Sequence, residues 1–359
     1  MNKVDRLSNV DLLRELLNDP DRKPIVKILA EVFFLALYQR ASPRFYFSRY
    51  LFKKERTNVK DYFPNGFLYK KIKPFINEKE IKELVENKLF FNFYFDQFGI
   101  QLPNILMYNH MRMFVSDGTG IQINSPSDFR LQLEKIFDQD PSQDSIIVKR
   151  TCGSYGGREV YKIFRDQLKT SSEMVGSLYS TVVKTGFLFQ ETVRQHEELN
   201  RLNSSCLNTI RMDTFIDKDG NIDIVSAYIR MSITNSHVDN ISSGGWQVGI
   251  DLQRGSLKEE GYSSIAAYGV KVLTSHPITS TKFENFHIPF FEEAKELVIR
   301  AAGFVPGLRL VGWDVAIGES GPILIEGNSD YDIAGSELSD GGYGANPTFR
   351  KVLQELNYL

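Results

Sequence analysis

Apolar residues recur every three to four positions at Leu12, Leu13, Leu16 and Leu17, and again at Ile25, Ile28, Leu29, Val32, Phe33 and Ala36. This spacing predicts two amphipathic helices, broken near Pro20 and Pro24. The most apolar window, residues 28–38, is interrupted by Glu31 and falls short of the roughly 20 residues a bilayer crossing needs. It is expected to be a buried helix rather than a transmembrane span.

From about residue 78 the pattern predicts one helix ending at Gly99, then a strand over 102–109. Strands are expected at 144–150 and 160–164, joined by the glycine-rich segment 151–157 as a hairpin. Further strands are read at 187–193, 208–216 and 222–232. The last two are separated by Asp-Lys-Asp-Gly, a hairpin signal. Phe291, Ala294, Leu297, Val298, Ala301 and Ala302 mark one apolar face of a helix that stops near Gly303, and strands follow at 308–317 and 322–328. A helical opening followed by mixed helices and hairpins implies an α+β chain. No internal repeat is visible.

Composition narrows the class. With 359 residues, 42% hydrophobic and a quarter charged, the chain is long enough for several compact subdomains. Its formal net charge of −2 offers no field to gather polyanions, so nucleic acid is not an expected partner. Cys152 and Cys206 are too few for a disulfide framework and lack zinc-ligand spacing, which fits a reducing cytoplasm. The first residues lack the unbroken apolar core of a secretory signal. One local departure stands out: residues 38–60 hold seven Lys or Arg and six aromatics against a single acid, Glu55. A solvated helix with inward aromatics accounts for this. So does a peripheral contact with a membrane surface or a glycan phosphate.

Asp314, Glu326 and Asn328 are the sharpest chemical set. Oxygen donors at strand ends suit magnesium. Glu326 and Asn328 are two apart and share a face. A three-residue loop, Glu319-Ser320-Gly321 with Gly321 left-handed, sets 314 opposite 326, whereas a two-residue loop without a bulge does not; the longer loop, or an equivalent bulge, is expected. Polar residues on a solvated sheet face are the alternative. Lys149, followed by Gly153, Ser154, Gly156 and Gly157, can set one cation and several backbone N–H groups around phosphates, or form a mobile loop. The segment is neither a P-loop nor a dinucleotide fingerprint. Arg211 and Arg230 suit phosphates or a substrate carboxylate, or else surface ion pairs with Asp213 or Asp223. Within residues 236–251, Asp239, Asn240, Gly244 and Gly245 are read as a polar glycine loop that lines a substrate pocket or turns a corner.

A strand lysine before a glycine-rich hairpin, a hinge glutamate, then Asp and Glu-x-Asn on paired strands resembles the ATP-grasp superfamily. The blocks QHEELNRLNSSCLNTIRMDT, VDNISSGGWQVGID, SHPITSTKFENFHIP and VGWDVAIGESGPILIEGN look more narrowly like the sugar-transfer associated ATP-grasp family, over roughly residues 80–335. The resemblance implies an ATP-grasp fold, two α+β subdomains clasping ATP, preceded by a mainly helical N-terminal region at 1–79. It implies a pre-ATP subdomain at 80–140, a glycine lid at 141–189 and a metal- and substrate-binding subdomain at 190–359. Lys88 and Lys149 match the family lysines on the nucleotide phosphates. Gln190 and Glu191 fall at the hinge that receives adenine, and Glu198 matches a ribose contact. Arg211 falls on the phosphates, and Asp314, Glu326 and Asn328 match the magnesium ligands. Asn87 stands where many relatives have Asp, and Ser-Asp-Tyr-Asp follows Asn328 in place of Pro-Gly.

The activity implied is ATP- and Mg²⁺-dependent joining of a carboxylate to an amine through an acyl phosphate, on small or glycan-linked substrates in surface-polysaccharide synthesis. Arg211 and Arg230 are the expected catalytic groups, with Arg230, Asp239 and Asn240 toward substrate. A kinase of the same architecture, with Asp239 or Asp251 as general base, is the alternative. A nucleotide-binding regulatory subunit is a third. Oligomeric state is not indicated.

Overall fold

The computed structural model describes residues 9–40, 42, 44–154, 159–233, 245–263 and 271–358. The chain forms two compact units: Glu83–Arg194 with Ile323–Glu326, and the remainder, Met1–Lys82 with Gln195–Pro322 and Gly327–Leu359. Both are mixed helix and antiparallel sheet, and the N-terminal region is helical, so the α+β class holds.

The first unit is built on six antiparallel strands: β1 (Ile105–His110), β2 (Met113–Ser116), β3 (Thr119–Gln122), β4 (Ser145–Arg150), β5 (Val160–Phe164) and β6 (Gly186–Glu191). Their order is β3-β2-β1-β6-β4-β5, so strands from segments 80–140 and 141–189 share one sheet. Helices Pro126–Gln139 and Ser172–Val182 cover it, burying Phe129, Leu133, Leu178 and Val182 against Met107, Val148 and Phe189. Each begins on a serine cap: Ser125 accepts from the Asp128 N–H, with Pro126 at the first helical position, and Ser171 accepts from that of Met174.

The single helix expected over 78–99 is instead broken into short turns. Asn87 is extended, and its side chain accepts from the N–H groups of Leu89 and Phe90. That cap starts a new helix, Lys88–Asp96, and ends the preceding one. The cap also fixes where Lys88 begins.

The second sheet has seven strands: β7 (Ile210–Ile216), β8 (Ile222–Ser232), β9 (Gly245–Asp251), β10 (Ser256–Ser263), β11 (Val272–Leu273), β12 (Leu310–Gly318) and β13 (Gly321–Asn328), ordered β11-β10-β9-β8-β7-β12-β13. Helix Phe291–Gly303 lays the six predicted residues on the sheet, all buried. The β7–β8 turn is the predicted one, with Gly220 at φ 85° and Asp217 accepting from Asn221. Two expectations change. The β12–β13 turn has two residues, Glu319 and Ser320, not three. Gly321 opens β13 at φ 142°, a conformation glycine tolerates, so the loop premise for setting 314 opposite 326 falls away. And the region read as a glycine loop at 236–251 includes strand β9.

Helices Asn9–Asn18 and Ile25–Gln39 form as predicted. The second is not a buried helix. Only Ile28 and Leu35 are buried, because one narrow stripe packs while Val26, Leu29, Phe33 and Leu37 face outward. Four of the six aromatics of 38–60 turn inward: Phe45, Tyr46, Tyr50 and Phe52 join a core cluster, while Tyr38 stays exposed. The helix there is only Arg44–Ser48.

Candidate functional site

In the seven-stranded unit the pairing of β7 with β12 sets Arg211 directly opposite Asp314. Arg211 Nε donates to Asp314 Oδ1 at 2.5 Å, and Arg230 Nη2, from β8, donates to Oδ2 at 2.6 Å. Thr209 Oγ1 accepts from Arg230 Nε and Nη2 at 3.1 and 2.7 Å, which orients that guanidinium. All three ionic side chains are at least nine-tenths buried. Burial works most strongly against the charge on Arg211, but Asp314, Tyr228 and Asp213 together more than offset it and hold the guanidinium well above its ordinary range. The expected alternative of surface pairs with Asp213 or Asp223 is not what forms. Asp223 pairs with Lys351 at the surface, and Asp213 Oδ2 accepts hydroxyl bonds from Ser226, Ser336 and Tyr343 at 2.9, 2.5 and 2.7 Å.

That hydroxyl cluster was not readable from local sequence, because its members come from β7, β8, the helix Ala334–Asp340 and the turn at Tyr343. Thr209 had a weak signal, standing two positions before Arg211. Asn328 ends β13 and is half-buried.

In the six-stranded unit Lys88 heads its helix, with its backbone N–H on the Thr151 carbonyl at 2.8 Å. Its Nζ lies 3.3 Å from Glu326 Oε2. Lys149 sits on β4 between Val160 of β5 and Leu188 of β6 and is buried. Gln190 Nε2 donates to Asn92 Oδ1 at 2.8 Å and to the Pro103 carbonyl at 3.0 Å, while Asn92 donates to the Lys88 carbonyl. This links Gln190 to the helix carrying Lys88. Asn92 lies one turn from Lys88, and that spacing was its only advance signal. Both Glu191 oxygens accept from Asn104, through its backbone N–H and its side-chain amide. Gly153 has φ 70° and Ser154 follows it; Gly156 and Gly157 lie outside the described residues.

Glu198 stands on the short helix Glu197–Leu202, pairs with Arg201 at 2.5 Å, and borders an open groove of about 760 Å³ with Thr281, Lys282 and His287. Of the expected substrate residues, Asp239, Asn240 and Gly244 lie outside the described residues. Gly245 is the first residue of β9, paired with Ser232, and its carbonyl accepts from Ser263.

The donor chemistry of Asp314, Glu326 and Asn328 fits magnesium: two carboxylates and an amide, all hard oxygens, and each Asp314 oxygen that accepts one guanidinium bond keeps a second lone pair. Among the described residues no group of three or more His, Cys, Asp or Glu gathers to hold a metal.

An antiparallel α+β chain with a buried Arg–Asp–Arg cluster on one unit and a lysine-bearing glycine hairpin on the other belongs to the ATP-grasp class. Within that class the family described as sugar-transfer associated ATP-grasp matches residues 68–352, and the chain belongs to it. No curated protein matches. Among solved structures, D-alanyl-alanine synthetase A from Vibrio cholerae O1 biovar eltor is similar at 13% identity and TM-score 0.43, over 77% of this chain and 65% of that one. D-cycloserine synthetase is similar at 13% identity and TM-score 0.44, over 78% and 73%. The biotin carboxylase domain of Hydrogenobacter thermophilus 2-oxoglutarate carboxylase, in complex with MgADP, is similar at 13% identity and TM-score 0.42, over 76% and 45%. The chain thus spans just under two thirds of the first of these.

Proposed function

We propose that this chain is an ATP-dependent carboxylate–amine ligase that works through an acyl phosphate on a sugar or amino acid in surface-polysaccharide synthesis. The observation that carries this reading is the Arg211–Asp314–Arg230 cluster, in a chain of this family. Two guanidiniums fixed on one buried carboxylate are pre-oriented cations, and acyl and phosphoryl transfer needs such cations where negative charge develops.

In this reading Lys88 and Lys149 bind the nucleotide phosphates, and the backbone at Gln190 and Glu191 receives the base. Arg211 neutralises charge on the transferred group, while Arg230 orients the substrate carboxylate. Asp314, Glu326 and Asn328 would hold magnesium, which supplies charge neutralisation on the phosphates when bound. The glycines after Lys149 let backbone N–H groups approach and exclude water. A reducing compartment such as the cytoplasm suits Cys152 and Cys206, which form no disulfide. Among the described residues no helix is long and apolar enough to cross a membrane.

The test is incubation with ATP, magnesium and a panel of uronates and amino acids, with hydroxylamine present. A ligase of this kind gives ADP, inorganic phosphate and a hydroxamate from one acid, because hydroxylamine captures the acyl phosphate. A phosphorylated hydroxyl acceptor with no phosphate release would replace the ligase by a kinase. No turnover with any acceptor, together with no ATP binding, would remove both.

A further inference from the structure

A second concavity, of about 650 Å³, opens between residues 38–71 and 344–358 and shares no residue with the groups above. Its walls are aromatic. Phe63 and Phe67 stack at 4.3 Å, and Tyr358 meets Phe67 edge-on at 5.8 Å. Its rim is cationic: Arg40, Lys60, Lys70, Lys71 and Arg350 surround it, all exposed, against one carboxylate, Asp61. Among the described residues, none of these five is ion-paired to a carboxylate. Like charges gathered in this way repel one another unless an anion sits among them.

Helix Ile25–Gln39 leads into this cavity, since Tyr38 and Gln39 line it. Upstream, Val26, Leu29, Phe33 and Leu37, spaced by three or four residues, are each between 63% and 79% exposed. Their spacing makes one apolar stripe open to solvent. A stripe of this kind that runs into a ring of cations has the pattern of an interfacial helix. Its apolar side chains suit the acyl boundary of a membrane, and its cations suit anionic headgroups. A second copy of the chain fits poorly, because a twofold contact would set one cationic rim against another. An uncharged apolar partner would leave all five cations unmatched.

We propose that this face docks on an anionic lipid bilayer, with the stripe lying in the headgroup–acyl boundary and the cavity taking a lipid phosphate with the start of its apolar chain. The inference does not rest on the ligase reading.

Co-sedimentation of the full chain with vesicles tests it, comparing phosphatidylcholine alone with phosphatidylcholine mixed with phosphatidylglycerol. Binding is expected only with phosphatidylglycerol and is expected to weaken as salt rises. Lys70→Glu with Lys71→Glu should lower the partition about tenfold or more. Phe33→Ser with Leu37→Ser should do the same, at unchanged helix content by circular dichroism. Inorganic phosphate at matched concentration should not release the bound chain. The proposal is overturned if the wild type ignores anionic vesicles or if the variants bind equally well. Release by inorganic phosphate overturns it too, as does a dimer in light scattering that the Phe33 and Leu37 changes dissociate without any vesicle binding.

Discussion

Arg211 and Asp314 are direct register partners across β7 and β12, and the bond between them, 2.5 Å long, lies in a part of the sheet almost closed to water. A charge pair at such depth stabilises little relative to an apolar pair of the same volume, but breaking it from one side is costly. Asp314→Asn removes the carboxylate that neutralises two guanidiniums. It should destabilise the chain by about 3–5 kcal/mol in urea unfolding and abolish turnover. Arg211→Met and Arg230→Met combined with Asp314→Leu, which removes both guanidiniums along with their carboxylate, should recover most of the stability and none of the activity. If this triple variant stays as unstable as the single one, the cost does not come from stranded charge.

Gly312 gives the same pair a second point of failure. A methyl group at this position would come within 2.9 Å of Arg211 Nη1 and of Asp213 Oδ1, and 3.1 Å of the Tyr331 ring. Gly312→Ala should therefore cost about 1–3 kcal/mol, as overpacking does. It should also lower kcat by moving the guanidinium, with a smaller effect on the KM for ATP. Unchanged kcat in a folded variant would show that Arg211 tolerates displacement and does not act on the transferred group.

Glu337, on the helix Ala334–Asp340, is fully buried beside Arg49 and accepts from the Phe63 N–H. Burial raises its carboxyl from the ordinary 4.5 to about 7, against the opposing pull of Arg49 and the backbone bonds. The folded chain thus holds this proton more tightly than the unfolded one. The stabilisation is complete below pH 4.5 and is lost as pH rises through about 7. Relative to Glu337→Gln, which cannot ionise, the wild type should lose roughly 3 kcal/mol across that window. Asp340, half-buried and raised from 3.8 to about 6, acts in the same direction, so the wild-type and variant curves are to be compared at each pH. A difference that stays flat from pH 4 to pH 8 would mean that Glu337 remains ionised in its site.

The strands that flank hairpins were legible almost residue by residue: β5 and β8 begin and end where alternation and turn residues put them. The face of helix Phe291–Gly303 was legible in full, because a helix lying on one sheet buries one stripe. What local pattern does not carry is which residues meet across long stretches of chain. Arg211 and Asp314 were each singled out, yet their pairing depends on β12 lying beside β7 in one register, and no spacing within either strand records that. The same limit explains Asp213, whose three hydroxyl partners come from three other segments. Helix Pro126–Gln139 had a start signal in Ser125 and Pro126 that apolar periodicity alone does not use. Hydropathy showed that Ile25–Gln39 is helical and apolar, but apolar character does not reveal whether anything covers it.

Lys149 offers the most direct test of nucleotide binding. It is 7% exposed on β4, in register with Val160 and Leu188. Lys149→Met keeps the apolar stem and deletes the charge. If the lysine has only a structural role, this change should alter stability and leave the kinetics of the folded variant alone. If it serves ATP phosphates, kcat/KM for ATP should fall by about 10²–10³, the range seen when one charge-stabilising donor is removed. Calorimetric titration with a non-hydrolysable ATP analogue separates the contributions: weaker analogue binding assigns the lysine to the ground-state nucleotide, and unchanged binding with reduced kcat assigns it to the transferred phosphoryl group. Wild-type values for both, in a folded variant, would remove Lys149 from the nucleotide site.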